Sequence, residues 1–161
     1  MMKSLTYTLF IIVAVASAAA TISSCDTNTV YDSYNHTPIS GWEKNDTLHF
    51  EVGPLRDSGH FTQSVGLRIN QKFPFTSLSL VVEQRIFPGF RFRTDTLRCQ
   101  FYGDDDNLQG RGVSYYQFNF PLRETDLRRG DSIHVTIRHA MKREILPGIS
   151  DIGFIMKHSN Y

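Results

Sequence analysis

Ser77–Phe87 reads SLSLVVEQRIF, with Leu78, Leu80, Val82 and Ile86 all on even-numbered positions. A spacing of two is the repeat of an extended strand, whose side chains point alternately to its two faces. An amphipathic helix would space its apolar residues by three and four. The stretch therefore predicts a strand with one face for packing and one for water.

The same period recurs on both sides. TLHFEVG, Thr47–Gly53, sets Leu48, Phe50 and Val52 against His49 and Glu51. SVGLRIN aligns Val65, Leu67 and Ile69, and DTLRCQFY aligns Leu97, Cys99 and Phe101. VSYYQFNF aligns Tyr116, Phe118 and Phe120, and DSIHVTIRH aligns Ile133, Val135 and Ile137. DIGFIMK closes the series with Ile152, Phe154 and Met156. Strands with one apolar face bury it by packing two sheets together. The expected fold is all-β, a single β-sandwich domain of about seven to eight antiparallel strands, over residues 43–161.

The connections carry turn chemistry. Pro88-Gly89 suits a tight hairpin turn. Gly103–Gly112 is a longer polar loop, in which Gly110 and Gly112 permit backbone angles other residues resist. Pro121–Asp131 and Ala140–Ile145 are each expected to hold a single helical turn.

Residues 1–24 read as a bacterial export signal, with Lys3 followed by the apolar run LTYTLFIIVAVASAAAT. That run is near the length of a signal-peptide core and short for a spanning helix. Ile22-Ser23-Ser24-Cys25 resembles a lipobox, which makes Cys25 the acceptor of a diacylglyceryl group and, after cleavage, the new N-terminus. Several acyl chains give a lasting membrane anchor. Asp26 retains lipoproteins in the inner membrane of some bacteria, a rule too restricted to choose a leaflet; the cell envelope is expected, the outer membrane favoured over the inner. Residues 25–42 are polar and aperiodic and read as a lipidated tether, pinned by Tyr31, Tyr34 and Trp42. Trp42 is read as a plug at the edge of the core.

Composition excludes other classes. The chain carries 17 Lys+Arg and 16 Asp+Glu, and without Lys3 of the signal the two signs are equal at 16 each. Balance of this kind argues against a strong electrostatic attraction to nucleic acid or to an anionic membrane, and nucleic acid is not expected as a partner. Two cysteines, Cys25 and Cys99, cannot form a disulfide framework. Cys99 falls on an apolar face and reads as a buried structural thiol. The six histidines show no ligand spacing; His134 and His139, five apart on one strand, point to opposite faces. Asp104-Asp105-Asp106-Asn107 is the best calcium candidate, but it lacks the ligand order of an EF-hand and reads as a solvated turn. Motifs for a nucleophile elbow, a zinc protease or a phosphate loop are absent. No catalytic residue, metal or cofactor is expected.

One segment suits a partner. In FPGFRFRTD, Phe90 and Phe92 alternate with Arg91 and Arg93, and binding surfaces favour aromatics and arginine. The plainer reading has the phenylalanines finishing the core. On either reading the arginines are solvated, so reversing both charges should leave the melting temperature nearly unchanged.

Several stretches together carry a family likeness: SSCDTNTVYDSY, GWEKNDTLHFEV, LSLVVEQRIFPGFRFRTDTLRCQFYGDDDNLQGRG and HAMKREILPGISDIGFIMK. In this order the chain resembles the gliding-motility lipoprotein family GldH of the Bacteroidetes. The resemblance implies a lipid-anchored accessory or scaffold protein, supporting gliding motility and the linked secretion machinery through protein partners, without enzyme chemistry. The competing reading is a glycan-binding surface lipoprotein, whose ring platform would draw on Tyr102, Tyr115 and Trp42.

Overall fold

The computed structural model describes residues 28–105 and 107–159. The expected export signal, Cys25 and Asp106 lie outside the described residues. Ten strands run in chain order: β1 (Thr29–His36), β2 (Trp42–Glu43), β3 (Leu48–Val52), β4 (Gly59–Asn70), β5 (Ser77–Phe87), β6 (Arg91–Gln100), β7 (Tyr115–Leu127), β8 (Ser132–His139), β9 (Ile145–Leu146) and β10 (Ile149–His158). One antiparallel sheet has the order β1-β10-β4-β7, the other β3-β8-β5-β6, and β2 pairs with β9 as a short clip. The two larger sheets face each other as a β-sandwich.

The alternating residues form its interior. Leu78, Leu80, Val82 and Ile86 of β5 are fully buried, with Ile133, Val135 and Ile137 of β8 beside them. The facing sheet contributes Phe61, Val65 and Leu67 of β4 and Ile152, Phe154 and Met156 of β10, also fully buried. Phe101 packs edge-on against Phe73 and Phe118 at centroid distances of 5.4 and 4.9 Å, a favourable aromatic geometry. Gln84 interrupts the apolar face of β5. Its Nε2 donates to Oε1 of Gln63 on the opposite sheet at 2.9 Å, tying the two layers together inside the core.

Three local expectations are corrected. Thr29–His36, expected within the tether, is β1, paired along its length with β10. A sheet-edge strand needs little apolar face, so its sequence shows no strong period. Two tyrosines attach it instead. Tyr31 contacts the Phe154 ring at 6.1 Å, and Tyr34 lies across Gly66 and Gly153, where any Cβ would collide with its ring. Pro121–Leu127 continues β7 rather than forming a helical turn. β7 is an edge strand, where a proline need not donate to a neighbour, and a bulge shifts the register opposite Gln63/Ser64. Ala140–Ile145 is likewise non-helical: its end enters β9 and pairs with Trp42 and Glu43.

Trp42 closes this clip. It is fully buried, donates Nε1–H to the Asp46 carbonyl at 3.0 Å, and meets the His139 ring edge-on at 5.2 Å. Gly41, at φ +117, makes the turn that sends Trp42 inward. Of the loop glycines, Gly112 has a positive φ of +135, whereas Gly110 is required for space, since a Cβ there would strike Phe118.

Antiparallel pairing sorts the connections to two ends. The first end holds the start of β1, loop 53–58, the turn 88–90, the turn 128–131 and the end of β10. The opposite end holds 37–47, 71–76, 101–114 and 140–148.

Candidate functional site

The hairpin singled out by its alternating aromatics and arginines lies at the first end. Phe87–Pro88 is a cis peptide, and Phe90 adopts a left-handed φ of +47 at the turn. Phe90 is 81% exposed and Phe92 57%. The arginines behave in the opposite way. Arg91 Nη2 donates to Asp131 Oδ2 at 2.7 Å, and Arg93 Nη1 donates to Thr125 Oγ1 at 3.3 Å. Asp95, two positions on, accepts from Arg123 Nη1 at 3.0 Å.

The register explains this arrangement. Arg91, Arg93 and Asp95 stand opposite Ile86, Gln84 and Val82, all inward-facing residues of β5. β6 is the edge of its sheet and β7 the edge of the other, so their inward side chains meet at the rim of the sandwich. Long polar side chains span that gap with apolar stems inside and charged heads at the border. The expectation of freely solvated arginines is therefore corrected. The alternation holds, but the inward face carries the arginines and the outward face the phenylalanines.

Other basic groups share this end. Arg56, Arg128 and Arg129 are exposed and take part in none of the ion pairs among the described residues. The Arg128 amide donates to Asp131 Oδ2 at 3.1 Å and the Arg129 amide to Ser58 Oγ at 2.9 Å, so the backbone of this turn is held while the side chains remain outside. A recess of about 480 Å³ lies between Pro88, Arg91, Arg128 and Asp131.

The remaining reactive groups have structural settings. Cys99 is a free, fully buried thiol, and burial pushes its pKa up to about 12. A thiol held protonated is a poor nucleophile. Cys99→Val should lose no more than about 1–2 kcal/mol in denaturant melts, the cost of reshaping a small buried site. Rapid reaction of Cys99 with a thiol reagent in the folded protein would contradict its burial.

His49 and His134, from β3 and β8, stack at 5.4 Å with Glu51 3.4 Å from His134. Separated by 85 residues, this pair was invisible in local spacing. His60 sits between Asp126 at 2.7 Å and Glu124 at 3.1 Å, and these carboxylates raise its pKa above the ordinary imidazole value. Among the described residues no three such side chains are grouped to hold a metal ion. In the acidic loop, Asp105 is occupied by Asn107, whose Nδ2 and backbone amide donate to it at 2.7 and 3.3 Å. Of the three rings considered for a glycan platform, Trp42 is interior, while Tyr102 and Tyr115 are 46% and 56% exposed.

Comparison with known proteins places this architecture. The profile of the GldH lipoprotein family matches residues 29–156, nearly the whole described domain. The gliding motility lipoprotein GldH of Flavobacterium johnsoniae is 30% identical over 144 residues, covering 85% of this chain and 89% of that protein. A GldH homolog from Christiangramia forsetii is 26% identical over 152 residues, covering 86% and 89%. Among solved structures, a family GH115 4-O-methyl-α-glucuronidase overlaps with 85% of this chain and 18% of its own, at TM-score 0.45 and 13% identity, too distant to bear on function. The family match spans both sheets, from β1 to β10, and on that evidence the chain belongs to the GldH lipoprotein family.

Proposed function

We propose that the mature protein is held in the cell envelope by acyl chains on Cys25 and acts there as a scaffold of the gliding apparatus and its linked secretion machinery. The observation that carries this reading is the family match over residues 29–156, which begins four residues after the cysteine that ends the lipobox. The curated relatives are named for gliding motility and for a lipoprotein character, not for a reaction. The buried Cys99, whose thiol is held protonated by burial, is a poor nucleophile, in keeping with a binding role. A glycan platform is less well supported, because it loses Trp42 to the core and retains two tyrosines.

Cys25→Ala tests the anchor. The variant should lose the acyl mass at its N-terminus, keep an uncleaved or differently cleaved leader, and fail to restore motility to cells lacking the protein. Full retention in membranes with a wild-type N-terminus would sink the reading. Crosslinking of the wild-type protein in native cells, followed by identification of the attached proteins, tests the scaffold role; capture of no envelope protein would count against it.

A further inference from the structure

We propose that the first end of the sandwich, presenting Phe90, Arg56, Arg128 and Arg129, is a membrane-contact surface seated on anionic lipid headgroups. The proposal rests on the reading of Cys25 as the acylated residue. It adds that the folded domain itself touches the bilayer, in a fixed orientation.

Chain reach comes first. The described chain begins at Asn28, three residues after Cys25, and β1 begins at Thr29. At up to about 3.6 Å per residue, the lipid-bearing Cα lies within roughly 11 Å of Asn28. With β1 part of the sheet, no long tether remains to hold the domain away. The end that carries the start of β1 therefore stays within reach of the headgroups.

Charge agrees with this orientation. The loops at the first end, with Arg91, hold four arginines against Asp57 and Asp131, and Asp131 is already bound by Arg91. The connections at the opposite end hold five cations and five carboxylates among the described residues. Asp26, next to Cys25 in the sequence, and Asp126, near the end of β7 and bound by His60, add negative charge, so the proposal rests on the placement of Arg56, Arg128 and Arg129 and not on a net excess. Arginine matches lipid phosphate with paired donors, and each cation near an anionic leaflet strengthens binding by roughly fivefold.

The apolar component is Phe90. It sits 81% exposed at a turn tip, with its ring edge-on to Phe87 at 5.2 Å, so the tip offers a supported aromatic edge. Aromatic side chains among basic residues suit the interfacial layer, where an apolar body meets polar headgroups. The opposite end also exposes apolar side chains, Ile39, Val113 and Ile145 among them, so it is the grouping of Phe90 with Arg56, Arg128 and Arg129 beside the lipid-bearing end that carries the proposal.

The test uses the full chain in native membranes. A photoreactive p-benzoylphenylalanine is placed at position 90, and in a second strain at position 142 on the opposite end. The expected product at 90 is a lipid adduct, seen as a mass increase on the protein, with little or none at 142. The variant Arg56→Gln, Arg128→Gln, Arg129→Gln should lower the adduct yield at 90 by about fivefold or more, with an unchanged melting temperature. Adducts at 90 that are protein rather than lipid would overturn the proposal and make this end a partner surface. Equal lipid adduct at 90 and 142, or a yield untouched by the three substitutions, would also overturn it. The same spectra show whether Cys25 carries acyl chains, so loss of the anchor is read separately from loss of the contact.

Discussion

Trp42→Ala should destabilise the mature protein by about 3–5 kcal/mol, the range for truncating a large buried aromatic. For a domain of this size that is a fall of roughly 10–20 °C in melting temperature. The indole, carried by β2 opposite Leu146 of β9, is fully buried, and its Nε1–H bond to the Asp46 carbonyl at 3.0 Å fixes the loop into β3. Alanine would leave a cavity, an unpaired carbonyl and a two-residue clip with nothing behind it. Trp42→Phe keeps a ring but not the donor, and should cost about 1–2 kcal/mol.

His139 supplies a second readout. It is fully buried against Trp42, and burial lowers its pKa below the ordinary imidazole value, partly opposed by backbone groups of Trp42 and Glu144. In the window below the unfolded value, about 6.5, the unfolded chain therefore binds more protons than the folded one. Stability is full above that value and is lost as pH falls toward the folded pKa. Trp42→Ala admits water to the ring and should flatten this acid slope. A loss under about 1 kcal/mol with an unchanged slope would show that the clip does not hold the fold.

Arg91→Glu is the second large effect, and it reverses what the sequence suggested. Asp131 is 6% exposed, and one of its carboxylate oxygens accepts both Arg91 Nη2 and the Arg128 amide. Glutamate at 91 would remove the cation and set a like charge against a buried carboxylate. Breaking a buried pair costs about 3–5 kcal/mol. Because the Arg91 side chain is 42% exposed, solvent screens part of this, and about 2–3 kcal/mol is expected. Arg98→Glu, on the outward face of the same strand, should stay within about 0.5 kcal/mol. Combining Arg91→Glu with Asp131→Asn should recover part of the loss, since the repulsion disappears. Equal melting temperatures for Arg91→Glu and Arg98→Glu would mean that the Asp131 contact contributes nothing.

These two sites mark where local reading ended. Leu78, Leu80, Val82 and Ile86 are interior because an extended chain repeats every two residues, and that repeat is written in consecutive positions. The reading of Ile22-Ser23-Ser24-Cys25 as a lipobox is of a different kind: it rests on four contiguous residues, needs no folded context, and lies outside the described residues. Cys99 and Trp42 were also readable, one from its apolar neighbours and the other as the sole indole beside a turn.

The remainder depends on residues far apart in the chain. β1 looked like a tether because Tyr31 and Tyr34 are its only large attachments, and their partners, Phe154 and the Gly66/Gly153 pair, lie in β4 and β10. His49 meets His134 and Gln84 meets Gln63 only through strand pairing and sheet packing. The β6 hairpin states the principle most sharply. Its sequence determined that Phe90 and Phe92 would alternate with Arg91 and Arg93, since period two belongs to a single strand. Which pair turned inward was decided by tertiary structure, because at the rim of a sandwich the inner face meets Thr125, Arg123 and Asp131 of another segment, and these offer polar groups rather than an apolar wall.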